Sequence, residues 1–267
     1  MLFFQLSSFE LGAFLFAVLL GATGLGAIFG RRARHLSEGL KEPFGVLQAA
    51  LLGVVGLLLA FGLSLAVSRY EDRRANVVTA ANAIGTTYLR AQTLGEPTRS
   101  TSLALLTAYT HNAISISEHV PGSGQARDAA RREAQIERRL WAQAAGALDR
   151  APLASAPKLY VETLNDMFDA ETARVIALSN RVPTAVFVLE LAGAAIALAL
   201  LAAYMAIAGR GELAIVLAAV LVAFLLLVTA DLDRPTRGLI RVPDTALTEQ
   251  LAAMSEPPAA PAPTRGG

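Results

Sequence analysis

Residues 43–68 read PFGVLQAALLGVVGLLLAFGLSLAVS and contain no charged side chain. A proline opens this stretch, where a helix tolerates one, and the charged run RYEDRR at residues 69–74 closes it. In a helix, about 20 apolar residues cover roughly 30 Å, which is the thickness of the hydrocarbon core of a bilayer. Residues 43–68 are therefore predicted to be a membrane-spanning helix.

Three more stretches have a similar length and apolar character, at residues 11–30, 183–209 and 213–230. No Lys or Arg precedes the first of them in residues 1–10, so it is interpreted as a retained span rather than a cleaved signal peptide. Only a few residues around 209–212 join the last two, which predicts a tight antiparallel hairpin. The hydrophobic content of 54% agrees with a membrane protein.

The predicted fold is all-α, with four transmembrane helices in a two-plus-two arrangement and a central soluble helical region. In chain order, the regions are an N-terminal membrane hairpin (1–68), a central helical region (69–182), a C-terminal membrane hairpin (183–230) and a C-terminal segment (231–267). The Pro- and Ala-rich tail at 255–267 is expected to be disordered.

The central region is predicted to contain four amphipathic helices, because breaks at residues 95–97, 121–124 and 152–157 interrupt a helical pattern. The first helix continues from the second span through Leu89. The third is the most charged, and pairing of Asp128 with an arginine one turn later favours a solvated face, the alternative being an electropositive lining that attracts anions. On the fourth, the expected apolar side comprises Tyr160, Leu164, Phe168, Val175 and Leu178.

The span at 43–68 carries two kinds of surface. One is a stripe of small side chains that would let another helix approach closely; it comprises Gly45, Ala49, Gly53, Gly56, Ala60 and Ser64. The other is bulky, and there Val54, Leu58 and Phe61 are the candidate constriction of a pore that closes by dewetting. Helix packing and pore lining are both consistent with this pattern.

Glu190 is the one charged residue inside any of the four stretches. An ionised carboxylate in the middle of a bilayer is costly, so its presence there would indicate a role in transport. Residues 191–208 alone are nearly long enough to span, however, and this would leave Glu190 at the interface with water. Both interpretations remain open from the sequence.

Composition and motifs argue against several other functions. The net charge is +1 without a block of like charges, so nucleic acid is not an expected partner. There is no cysteine, and His35, His111 and His119 lack a metal-binding spacing. Gly24-x-Gly26 lacks the third glycine of a dinucleotide loop, and there is no P-loop and no Gly-x-Ser-x-Gly motif. No enzyme activity, metal or cofactor is predicted.

The distribution of Lys and Arg near the spans bears on orientation. Eight arginines flank the spans on the side of the central region and the termini, against five basic residues in the two short loops, namely Arg31, Arg32, Arg34, Lys41 and Arg210. This excess favours a cytoplasmic central region and cytoplasmic termini in a bacterial inner membrane. The basic cluster directly after the first span favours the opposite orientation.

Four segments of the sequence carry a family resemblance. They read LKEPFGVLQAALLG at 40–53, SRYEDRRAN at 68–76, ANAIGTTYLRA at 81–91 and DLDRPTRGLIRV at 231–242. Together they resemble the bestrophin-like family of bacterial membrane proteins. The family-like polar positions and the adjoining proline are Arg69, Asp72, Arg73, Asn76, Asn82, Asp231, Asp233, Arg234 and Pro235.

The resemblance implies a pentameric anion channel in which the second span lines the pore and the central helices build a cytoplasmic vestibule. The implied partners are membrane lipid, small anions and further copies of the chain. Asp231 and Asp233 lie where an acidic cluster would bind calcium, but two carboxylates fall short of the roughly six oxygens that calcium requires, so they are interpreted as interface charges. The alternative function is a non-conducting scaffold or sensor whose central helices bind a cytoplasmic partner, with Arg73, Asn76 and Asn82 in interaction or packing roles.

Overall fold

The structure is a computed structural model, and it describes residues 7–33, 41–209 and 212–260. The described residues form eight helices and no strand, so the predicted all-α class is confirmed. The helices are α1 (Ser8–Ala33), α2 (Lys41–Ala91), α3 (Thr98–Glu118), α4 (Gly124–Arg150), α5 (Ser155–Ser179), α6 (Thr184–Ala208), α7 (Glu212–Leu232) and α8 (Thr245–Met254). Several predicted features, including Arg34, His35 and Arg210, lie outside the described residues.

The chain divides into two compact units. The apolar unit comprises Met1–Tyr70 and Arg181–Arg241, and the polar unit comprises Glu71–Asn180 and Val242–Gly267. All four stretches predicted to span a membrane belong to the apolar unit. By length and composition alone, four helical segments of the described chain are apolar enough to cross a membrane: Ser8–Ala33, Pro43–Ala91, Ser155–Ala208 and Leu213–Leu232. Their two-plus-two arrangement remains a prediction.

The core of the apolar unit is built from one face of each of its helices. It contains Leu11, Leu15, Leu19, Val55, Leu59, Ala194, Ala197, Leu198, Ala219, Ala223 and Leu226. Lipid is as apolar as leucine, so close packing rather than removal from water stabilises such a core. The closest approach is between α1 and α6, where Gly26 and Gly30 lie against the backbone of Ala199 and Ala203. These glycines are needed because any side chain would separate the two helices.

Helix α2 runs without interruption from the apolar stretch into the charged stretch that follows it. The segment after Ser68 contains residues that suit a helix, and the next strong break is at Gly95 and Pro97. One face stays buried along the helix, at Gln48, Val55, Leu59, Gly62, Ala66, Arg73, Val77, Ala80, Ile84 and Ala91. Steps of three, four and seven residues keep these positions on one side of a helix.

The polar unit packs the C-terminal part of α2 with α3, α4, α5 and α8. Its core contains Ile84, Leu106, Tyr109, Leu140 and Leu164, all almost fully buried. Ser123 caps α4 by accepting a hydrogen bond from the Ala126 N–H at 3.1 Å. The sequence did not predict α8, whose residues Leu247 and Met254 are buried in this core.

Two expectations for the polar unit need correction. On α5 the buried row is Tyr160, Leu164, Met167, Glu171, Arg174 and Leu178, whereas Phe168 and Val175 are only half-buried. The tail was expected to be disordered from residue 255, yet the Ala260 N–H donates to Gln92 at 2.9 Å and Arg99 donates to the Ala260 carbonyl at 3.0 Å. Residues 261–267 lie outside the described residues.

Candidate functional site

The candidate constriction lies on a face of α2 that the described part of the chain leaves open. Val54 is 57% exposed and Phe61 is 64% exposed, while Leu58 between them is half-buried. Leu47 and Leu65 extend the same row in both directions and are also exposed. This row is well separated around the helix from the buried face that contains Val55, Leu59 and Gly62, because a helix turns about 100° per residue.

The small-residue stripe occupies a third face of α2. Ala49, Gly53, Gly56, Ala60 and Ser64 are exposed, and an added Cβ at Gly53 or Gly56 would meet no described atom within 4 Å. Gly45 is the exception, because the ring of Tyr204 lies 3.1 Å from where its Cβ would be. The stripe therefore has no packing role inside the described chain beyond Gly45. Its contact with another helix remains a prediction.

Glu190 lies inside the apolar unit, in the second turn of α6. Its side chain is 4% exposed and points at Gly62 on α2. A cavity of about 30 Å³ adjoins it, and its lining also includes Leu11, Phe187, Thr229, Asp233 and Arg234. Glu190 is thus positioned among helices and does not project from the unit.

Asp231 and Asp233 organise the end of α7. Asp231 accepts hydrogen bonds from the Ser8 hydroxyl at 2.6 Å and the Ile240 N–H at 2.9 Å. Asp233 accepts from the Val182 N–H through both oxygens, at 3.1 and 3.0 Å. These carboxylates connect the start of α1 and the segment before α6 to the end of α7, and protein donors already occupy oxygens that calcium would need. Among the described residues, no three His, Cys, Asp or Glu side chains form a group suited to a metal.

The other family-like positions divide into buried and exposed side chains. Arg234 and Pro235 are buried at the end of α7. Arg73 is buried in the polar unit, and its guanidinium donates to the carbonyls of Ala177 at 3.2 Å and Asn180 at 2.6 Å. It therefore closes the C-terminal end of α5, which leaves backbone carbonyls without helical partners. The remaining positions are Arg69 and Asn76, which are half-buried, and Asp72 and Asn82, which are exposed.

The structure brings together a buried charged cluster that the sequence analysis missed. Its centre is Arg174 on α5, which donates to both carboxylate oxygens of Glu171, to the Ser117 hydroxyl at 2.6 Å and to the Ala113 carbonyl at 3.0 Å. Glu133 of α4 is buried beside Glu171. A sequence signal existed, because Glu133 lies in register with buried Ala129 and Leu140, and Glu171 and Arg174 lie in register with Leu164 and Leu178. Steps of three and four residues put these charges at core positions.

The predicted pairing on the outer side of α4 is present. Arg131 donates to Asp128, and both side chains are mostly exposed. The hydrogen bond and the positive charge of Arg131 lower the pKa of the Asp128 carboxyl. This supports the solvated-face interpretation for that side of α4, while Glu133 marks the opposite, buried side.

The chain is similar to a known protein family. A family model of the bestrophin-like domain matches residues 13–247. The chain belongs to the bestrophin-like family. This confirms the resemblance inferred from the sequence motifs, and the match includes α2, the end of α7 and most of the polar unit.

A solved structure of a bacterial bestrophin homolog from Klebsiella pneumoniae has a similar fold. The TM-score is 0.62 at 16% sequence identity, and the match covers 88% of this chain and 98% of that chain. At this identity the similarity concerns the fold alone. Comparison with curated protein sequences finds no match.

Proposed function

We propose that this bestrophin-like protein is an ion channel of a bacterial inner membrane, in which several copies of the chain surround one pore lined by α2. The observation that carries the proposal is the division of α2 into three faces, of which the described residues of the chain extensively cover one. In a ring of subunits, the small-residue face would contact the neighbouring copy and the bulky face would line the pore. The relationship to bestrophins, which are anion channels, supports this assembly and favours small anions as the permeant species.

Val54, Leu58 and Phe61 are the proposed constriction. Their spacing extends the row over about 10 Å of helix, since each residue rises 1.5 Å. Several copies of such a row would form successive apolar rings, and a narrow apolar passage of this kind loses its water and stops conducting. Buried Asp231, Asp233 and Arg234 would hold the surrounding helices in position instead of contacting the permeant ion.

The orientation is part of the same proposal. The excess of arginine near the spans favours a cytoplasmic polar unit and cytoplasmic termini. Membrane lipid would cover the remaining apolar faces. The protein would then act by conducting ions and would have no catalytic residues.

A scaffold or sensor is the second candidate function. Three exposed apolar side chains on the polar unit would be available for contact with another protein chain, namely Trp141, Leu153 and Ile176. Arg73 is fully engaged in closing α5, so it would have a packing role in either case, whereas exposed Asn82 remains accessible to a partner.

The first experiment is native mass spectrometry of the purified full chain in several mild detergents. A pentamer would support a shared pore and favour the channel over the scaffold. A monomer or dimer that persists in every detergent would contradict the channel, because too few copies of α2 would be present to enclose a pore.

The second experiment measures anion flux in vesicles containing the full chain. Phe61→Ala should raise the flux, because it widens the proposed constriction. Phe224→Ala removes an equally exposed ring from α7 and serves as the matched control, with flux expected to stay unchanged. Equal flux for the wild type and Phe61→Ala would remove Phe61 from the constriction.

A further inference from the structure

Two carboxyl groups meet in the core of the polar unit. Glu133 of α4 is 8% exposed and Glu171 of α5 is 2% exposed, and their carboxyl groups lie within hydrogen-bonding reach of one another. Among the described residues, Glu133 Oε1 has no hydrogen-bond partner. Two ionised carboxylates have no hydrogen atom to place between them, so their contact would be repulsive in this buried site.

Arg174 neutralises one of these two carboxylates. Its guanidinium is 0% exposed and donates to both oxygens of Glu171. Its other hydrogen bonds go to α3, at the Ser117 hydroxyl and the Ala113 carbonyl. The guanidinium is therefore committed to Glu171 and α3, and Glu133 receives no hydrogen bond from it.

The groups around the pair add further negative charge. Glu137 lies one turn after Glu133 on α4, and from α3 the Tyr109 hydroxyl donates to Glu137 Oε1 at 3.4 Å. From the segment before α8, Asp244 interacts with Ser117 and Arg174. Among the described residues, the cluster thus contains four carboxyl groups and the guanidinium of Arg174, and Arg138 acts on Glu137 and Glu118 on Asp244 from outside.

We propose that the buried carboxyl of Glu133 carries a proton at neutral pH and donates it to Glu171, so that the contact between α4 and α5 is a proton-binding site whose occupancy is set by pH. The proton forms an O–H on Glu133 that donates to a Glu171 oxygen, while Glu171 keeps its ionic pair with Arg174. On release, the proton passes to hydroxide or buffer, and two buried negative charges are left facing each other. This proton-binding site would be present whether or not the protein conducts ions.

The electrostatics of the cluster agree with this geometry. Burial, followed by the charge and hydrogen bond of Glu171, raises the pKa of Glu133 to about 9. Burial also raises the pKa of Glu137 and that of Asp244. A carboxyl whose pKa is raised in the folded state stabilises that state fully below its unfolded pKa, and the stabilisation is lost as the pH rises through the folded value. The polar unit should therefore lose stability between about pH 4.5 and about pH 9.

Ionisation of Glu133 would weaken the packing of α4 against α5. The negative charges of Glu133 and Glu171 would then repel each other. This repulsion favours states in which α4 separates from α5 and water reaches the Glu133 carboxylate. Between pH 7 and pH 9, the equilibrium for such opening should rise by about tenfold per pH unit, because each opening event releases one proton.

The direct test is infrared spectroscopy of the full chain in detergent, comparing pH 7 with pH 10. The band of protonated carboxylic acids should decrease on going to pH 10, and Glu133→Gln should remove this change. Glu162→Gln is the matched control, since it removes an exposed carboxylate from α5. In this variant the band should decrease between pH 7 and pH 10 as much as in the wild type. A wild-type spectrum without any change in this band would overturn the proposal, as would an unchanged loss of the band in Glu133→Gln.

Hydrogen exchange supplies the second readout. After correction for the chemical exchange rate, amides of α4 in the wild type should open more at pH 9 than at pH 7. Glu133→Gln should show little pH dependence, because its amide can donate to Glu171 at either pH. If Glu133→Gln does not fold, Glu133→Met replaces it, since it also removes the second charge. Equal pH dependence in the wild type and in the folded variant would contradict the proposal.

Discussion

The carboxylate of Glu190 on α6 occupies the space that a side chain on Gly62 of α2 would need. An added Cβ at Gly62 would overlap Glu190 Oε1 and lie 2.6 Å from its Cδ. Gly62 is also on the face of α2 that the apolar unit buries. The absence of a side chain at one position therefore permits the burial of a carboxylate at the other.

Gly62→Ala should lower the thermal midpoint of the full chain in detergent. Overpacking of this kind costs about 1–3 kcal/mol when the neighbouring side chain has to move. Glu190→Ala in the same chain should restore much of the loss, giving a non-additive double-mutant cycle. Gly21→Ala is the control, because an added Cβ at Gly21 meets no described atom within 4 Å. Strict additivity would show that Glu190 does not occupy this space.

Gly26→Ala should be more disruptive than Gly24→Ala on the same helix. At Gly26 the new Cβ would lie 2.7 Å from the carbonyl carbon of Ala199, so backbone and not a flexible side chain would have to shift. We expect a loss of about 2 kcal/mol or more for Gly26→Ala. At Gly24 nothing lies within 4 Å. Similar thermal midpoints for the two variants would refute close packing of α1 against α6.

Arg73→Ala should destabilise the polar unit, whereas Arg74→Ala should have little effect. Loss of Arg73 removes its hydrogen bonds to the Ala177 and Asn180 carbonyls, and a hydrogen bond from a charged group contributes about 1.5–3 kcal/mol. Arg74 is 59% exposed and lies 3.9 Å from Glu71, a surface pair of small value. Hydrogen exchange at the end of α5 measures the difference. Equal protection in both variants would count against the role of Arg73.

Gly53→Leu should weaken assembly while leaving the fold of each copy unchanged. No described atom lies within 4 Å of a Cβ added at Gly53, so a leucine there has room in an isolated copy. The same leucine would hold the helix of a neighbouring copy away. Native mass spectrometry should detect fewer subunits, and helix content by circular dichroism should be unchanged. Gly24→Leu is the control on α1. An unchanged subunit number would indicate that the small-residue stripe faces lipid.

Composition alone predicted the helical class and the four apolar stretches. A span depends on the average polarity of about 20 consecutive residues, so individual contacts hardly matter. The family could also be predicted from the sequence, because a motif is a property of consecutive residues such as those at 68–76. The continuation of α2 beyond Ser68 followed from the absence of glycine and proline at a boundary of polarity.

The partners of the buried charged residues could not be predicted from the sequence in the same way. The sequence analysis did not single out Glu133, Glu171 and Arg174 as core residues, because charged side chains are rarely buried. Their burial depends on partners that come from three different helices, and sequence spacing within one helix does not reveal these partners.

The sequence by itself determined which segments are helical, which of them suit a membrane and which family the chain belongs to, since these depend on local composition and order. Only the tertiary structure decided which face of α2 is covered, that Gly62 makes room for Glu190, that α8 packs onto the polar unit and that two glutamates meet beside Arg174. Each of these depends on residues that are distant in sequence and approach each other by close packing. Close packing responds to changes in side-chain volume as small as one methylene group.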